Sequence, residues 1–182
     1  MIPHWDEAKR LLDTLAYIVK DSDPNGIDLY FTITPGKETK KHTTDLLQVT
    51  EKRRPPHISS RVTNIYSRLG FILGDYEEKL RGAAKSGSSI PFFKKSVRPM
   101  NLYVFTDGLW QPSSDAETPI KSLVDTLEKL KSPMAQVGIQ FIRFGNDSEE
   151  LHARLERLDS GLGLERYVPP ERFPLPFANV LF

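Results

Sequence analysis

Few residues in this chain are placed to do chemistry. Asp107 follows the run NLYVFT and precedes Gly108, so the chain delivers a carboxylate at the carboxyl end of an expected strand. In open α/β sheets, ligands bind outside those strand ends, where loops and helix N-termini converge. A carboxylate there can ligate a hard cation, activate a nucleophile, or cap the next turn by accepting backbone N–H groups. Thr63 stands at the start of another expected helix, where its hydroxyl serves either as a cation ligand or as a plain N-cap. Trp110, just after the Asp-Gly turn, is either an exposed contact residue or a side chain packed under its own loop.

Other chemistries find little support. His4, His42, His57 and His152 are scattered without ligand spacing and read as surface residues. The chain has no GxxxxGK[ST], GxSxG or GxGxxG motif. It has no cysteine, which excludes disulfides, thiolate metal sites and thiol catalysis and fits a reducing, cytoplasmic compartment. Its 25 Lys and Arg against 24 Asp and Glu leave a net charge of +1, so no global field draws it to nucleic acid or to anionic lipid. The short basic runs EKRR and KKSVR lack aromatic interleaving and read as solvated. The start, MIPHWDEAKRLL, has no secretory-signal pattern, and no apolar run is long enough to span a membrane.

The elements that must position these residues follow from periodicity. Trp5, Ala8, Leu12, Leu15 and Val19 fall on one helical face, which predicts a helix over 4–20. The turn DSDPNG then leads into a strand from Ile27 to Thr34. Residues 35–62 read as mostly surface, with a short helix suggested by Leu46, Leu47 and Val49. Ile65, Leu69, Ile72, Leu73, Tyr76 and Leu80 predict a helix capped by Thr63, and Thr118 and Pro119 mark the start of another. Further strands are expected at 101–106 and 137–144, and a helix over 148–158. Strands alternating with helices imply an α/β fold with a mainly parallel sheet covered on both faces. One domain over 1–160 is expected, followed by an irregular proline-rich tail over 161–182 that holds Pro169, Pro170, Pro174 and Pro176.

Four blocks, IPHWDEAKRLLDTLAYIVKDSDPNGIDLYFT, VTNIYSRL, LYVFTDGLWQP and VGIQFIRFGND, together resemble the von Willebrand factor type A (vWA) family, particularly its fungal intracellular branch. The resemblance covers roughly residues 2–158. It implies a Rossmann-like fold and a metal-ion-dependent adhesion site, in which Mg2+ or Mn2+ completes its coordination with an acidic residue of a protein partner. In that family the site is built from a DxSxS motif after the first strand, a threonine in a second loop and the aspartate of TDG. Thr63 matches the second element and Asp107 the third. No DxSxS occurs in this sequence. The chain starts about where that motif would have ended, so the first, central strand of the fold is also missing.

Two consequences follow. Magnesium wants about six oxygen ligands, so a site reduced to Thr63 and Asp107 is incomplete and weak. An empty interior position would leave neighbouring strands without backbone partners. The sheet must close up, a segment such as Phe177 to Phe182 must substitute, or the chain is a truncated gene product. The proline-rich tail favours the last, and with it marginal stability or aggregation. The expected function is a protein-interaction module and not an enzyme. The alternatives are a metal-dependent phosphoryl-transfer or hydrolytic enzyme using Asp107, or a non-functional fragment.

Overall fold

The computed structural model describes residues 2–19, 25–32, 37–55, 63–85, 97–111, 113–145, 149–159 and 178–181. The expected helices form: α1 (Trp5–Val19), α2 (Thr43–Lys52), α3 (Ile65–Lys85), α4 (Glu117–Lys129) and α5 (Glu149–Asp159). The strands are β1 (Ile27–Tyr30), β2 (Lys37–Lys40), β3 (Met100–Thr106), β4 (Val137–Arg143) and β5 (Ala178–Leu181). They make one five-stranded sheet in the order β2-β1-β5-β3-β4. All neighbours run parallel except the β1–β2 edge pair. The chain is therefore α/β.

The sheet is the middle of three layers. Along β3, Leu102 and Val104 enter one core cluster while Tyr103 and Phe105 enter the other, the period-two alternation of a strand buried on both faces. On one face α1 and α2 bring Trp5, Ala8, Leu12 and Leu46 against Leu29 and Phe105. On the other, α3 and α4 bring Leu69, Leu73, Ile120 and Leu123 against Leu102 and Val104. Leu155 and Leu158 of α5 pack at the margin of this second cluster.

Three expectations change. The interior of the sheet is not empty. β5 lies between β1 and β3 and pairs with both, Leu29 with Val180 and Tyr103 with Val180 standing in register. The strands expected to be neighbours are so only in part: β3 and β4 pair along their whole length, whereas β1 and β3 are separated by β5. The irregular tail expected over 161–182 accordingly fails at Ala178–Leu181, and the rest of that stretch lies outside the described residues. The physical reason is the demand for backbone partners: two flanking strands present open hydrogen-bonding edges, and a short run free of proline can satisfy both at once. β5 fills the position whose vacancy would have made the sheet marginally stable.

The segment read as surface also contains a strand. β2, with the sequence KETK, pairs with β1 and is held by polar contacts: Thr39 Oγ1 donates to Asp28 Oδ1 at 2.5 Å, and Lys37 Nζ lies 2.8 Å from Asp28 Oδ2. Gly26 permits the approach. Its φ is +88°, and a Cβ there would sit 2.3 Å from the Lys40 carbonyl oxygen.

Candidate functional site

β3 ends at Thr106, and the chain turns through Asp107 and Gly108, the latter at φ +74°. The buried Thr106 hydroxyl organises this turn. Its Oγ1 accepts the Gly108 N–H at 2.9 Å and the Trp110 indole N–H at 2.8 Å. Asp107 Oδ1 accepts the Leu109 N–H at 3.2 Å, the side chain-to-backbone bond of an Asx turn. Asp107 thus takes up the capping role.

Thr63 is brought to the same loop. Its N–H donates to the Leu109 carbonyl at 3.2 Å, its carbonyl accepts the Gln111 N–H at 3.0 Å, and the pair forms an isolated parallel bridge between Thr63 and Trp110. Its hydroxyl points at the same Leu109 carbonyl, 3.4 Å away. The expected N-cap role of Thr63 belongs to its neighbour: Asn64 Oδ1 accepts the Ser67 N–H at 2.8 Å. Ser114 adds a second tie, its Oγ accepting the Tyr66 N–H at 3.1 Å. The start of α3 and the loop after β3 are thereby one hydrogen-bonded unit.

Trp110 takes the packed alternative. It is 6% exposed, its ring lies 6.1 Å from that of Phe141, and its N–H is satisfied by Thr106. Little of it is exposed, and it borders a cleft at the start of α4. What the loop does expose is Leu109, at 67%, with Tyr66 at 47% on the first turn of α3. Sequence reasoning missed both, because exposure of a leucine inside a turn leaves no periodic signal.

Beyond Trp110 a cleft of about 300 Å³ opens between the start of α4 and α5, lined by Asp115, Glu117, Arg154 and Arg157 among others. Arg157 Nε lies 3.4 Å from Glu117 Oε1. Asp115 caps α4, accepting the N–H groups of Glu117 at 2.6 Å and Thr118 at 3.3 Å. The helix begins before the Thr118-Pro119 pair expected to open it. Burial pushes the Asp115 carboxyl up, but the Thr118 hydroxyl, these two N–H groups and Lys121 outweigh it and hold the group below the usual carboxylate range.

The donor set can be judged against a magnesium or manganese ion. Asp107 and Thr63 offer one carboxylate and one hydroxyl, and both already engage the backbone of Leu109. A hard cation of this kind requires about six oxygens in near-octahedral array. These two residues by themselves do not fit a resident ion. Among the described residues no group of three or more His, Asp or Glu converges as a metal site, and no helix is long and apolar enough to cross a membrane.

No family model matches the chain, and no curated protein or solved structure matches it.

Proposed function

We propose that this chain is a protein-binding module of the vWA kind, and not an enzyme, and that it meets its partner through the tip formed by the loop after β3 and the first turn of α3. The observation that carries the reading is the Thr63–Trp110 bridge. Residues singled out separately in the sequence, Thr63, Asp107 and Trp110, lie on one short hydrogen-bonded unit at the carboxyl end of a parallel strand. That end is where such sheets bind ligands. A second support is the position of β5 between β1 and β3, the interior place that the resemblance assigns to a central strand.

On this reading Trp110 and Thr106 are the rigid support and Leu109 and Tyr66 the contacts, since an anchored loop presenting an apolar side chain loses little entropy on binding. Asp107 holds the turn, and the Thr63 hydroxyl faces the same Leu109 carbonyl that its backbone N–H engages. Selection of peptides from a displayed library on the full chain tests the reading. Selected binders should weaken about tenfold or more with Leu109→Ser, the loss of a contact residue worth more than about 1 kcal/mol, and keep their affinity in the presence of a chelator. Tyr17→Ser, an equally exposed position on α1, should leave them unchanged. Binders indifferent to Leu109→Ser would overturn the assignment of this tip.

A further inference from the structure

The two edges of the sheet are built differently. β2 is four residues long, carries Lys37, Glu38 and Lys40, and is laced by ion pairs from Lys37 to Asp28 and from Arg53 to Glu38. Short length and charge are the devices by which natural edges resist pairing with other strands. β4, the edge at the other end of the strand order among the described residues, has neither. It is seven residues long, reads VGIQFIR, and has one charged residue, Arg143, at its end. Val137, Ile139 and Phe141 lean on the α3/α4 core without being fully buried by it, and Ile142 does the same on the α1 side.

We propose that this edge pairs with a second copy of the chain, β4 against β4 in antiparallel array about a two-fold axis at Gln140. A two-fold contact joins the same patch on both copies, so the strand must suit itself. It does. With Gln140 opposite Gln140, Ile139 of one copy meets Phe141 of the other, Gly138 meets Ile142, and Val137 meets Arg143. The arrangement sets no like charges opposite one another, and aromatic against β-branched is a favourable cross-strand pair. The Ile139 and Phe141 layer continues the α3/α4 core across the axis, while Gln140, the exposed residue of the strand, alternates to the other face. The chain's net charge of +1 sets no long-range repulsion between copies. This surface is separate from the tip proposed above, and neither depends on the other.

Sedimentation velocity over a concentration series of the full chain is the test. The wild-type chain should show a monomer–dimer equilibrium by roughly 100 µM, as fits the small interface of one strand pair. Gln140→Lys and Gln140→Glu each place like charges on the axis and should each raise the dimer dissociation constant about tenfold, whereas an equimolar mixture of the two should recover the dimer through an opposite-charge pair. Because Gln140 is exposed, both variants should keep the wild-type circular dichroism. Should either fail to fold, hydrogen exchange of the wild-type β4 amides gives a second readout: protection should fall on dilution. A wild-type chain that stays monomeric throughout, variants that associate as the wild type does, or β4 protection independent of concentration would each overturn the proposal.

Discussion

The two helical layers cover the same sheet but are fastened to their surroundings in different ways. The α3/α4 layer contains buried polar links. Glu77, 6% exposed, accepts from the Arg81 guanidinium at 2.8 Å and from the Thr126 hydroxyl of α4 at 3.0 Å. At the preceding residue, the Tyr76 hydroxyl donates to the Arg98 carbonyl at 2.6 Å and accepts from Gln136 Nε2 at 2.6 Å, which ties α3 to the segments leading into β3 and β4. Burial pushes the Tyr76 hydroxyl's pKa up, so it stays a donor. The α1/α2 layer is joined at its rim by exposed ion pairs, Lys9 with Glu51 at 2.8 Å and Arg54 with Asp6 at 3.1 Å. A buried polar group without its partner costs its whole desolvation, whereas an exposed ion pair trades one solvated state for another. The lesson is that the layer carrying the candidate site is the one whose helix positions are fixed by geometry as well as by apolar burial.

The comparison can be broken most directly at Glu77. Glu77→Ala removes an acceptor shared by α3 and α4, while the Thr126 hydroxyl keeps the Ser122 carbonyl as an acceptor, and should destabilise the fold by about 1.5–3 kcal/mol in urea unfolding, the worth of hydrogen bonds to a charged group. A midpoint unchanged from wild type would show that the link between the two helices carries no stability. A smaller effect is expected from Asp115→Ala, about 1 kcal/mol, the loss of a helix N-cap. Its pH dependence sharpens the comparison. The folded-state pKa of Asp115 is depressed, so its contribution is present above the unfolded carboxylate pKa and is lost as pH falls through the lower folded value. Wild type and Asp115→Ala should therefore differ at neutral pH and converge in acid, and a gap that persists there would mean that the ionised carboxylate is not the source of the difference. The smallest effect belongs to the α1/α2 rim. Arg54→Ala should shift the thermal midpoint only slightly at low salt, and the difference should vanish near 1 M salt, where the screening length is about 3 Å. A salt-independent shift would mean that this layer too is held by more than exposed charge.

How much of this was legible beforehand can be judged from particular residues. Helices α1, α3 and α4 and strands β3 and β4 follow from the spacing of their apolar residues, because burial of one face imposes a period of 3.6 or 2 on the residues themselves. The carboxylate at the end of β3 was legible for the same reason: a strand that ends at Thr106 must deliver Asp107 to the sheet's carboxyl edge. β2 was not, since KETK has neither alternation nor apolar content and becomes a strand only where Asp28 of β1 receives Lys37 and Thr39. Nor was the choice of caps, for Asn64 and Asp115 sit beside other residues that could serve as well.

The sequence by itself thus determined which stretches curl, which extend and where the acidic turn falls, all of them properties written within a few turns of chain. Only the tertiary structure decided that Thr63 bonds to Leu109 across 46 residues, that Trp110 is buried while Leu109 is exposed, and that Ala178–Leu181 stands between β1 and β3. The reason is that a strand's partners are chosen by which open backbone edges the whole chain leaves to be satisfied, and that choice involves residues too distant in sequence to leave a local period.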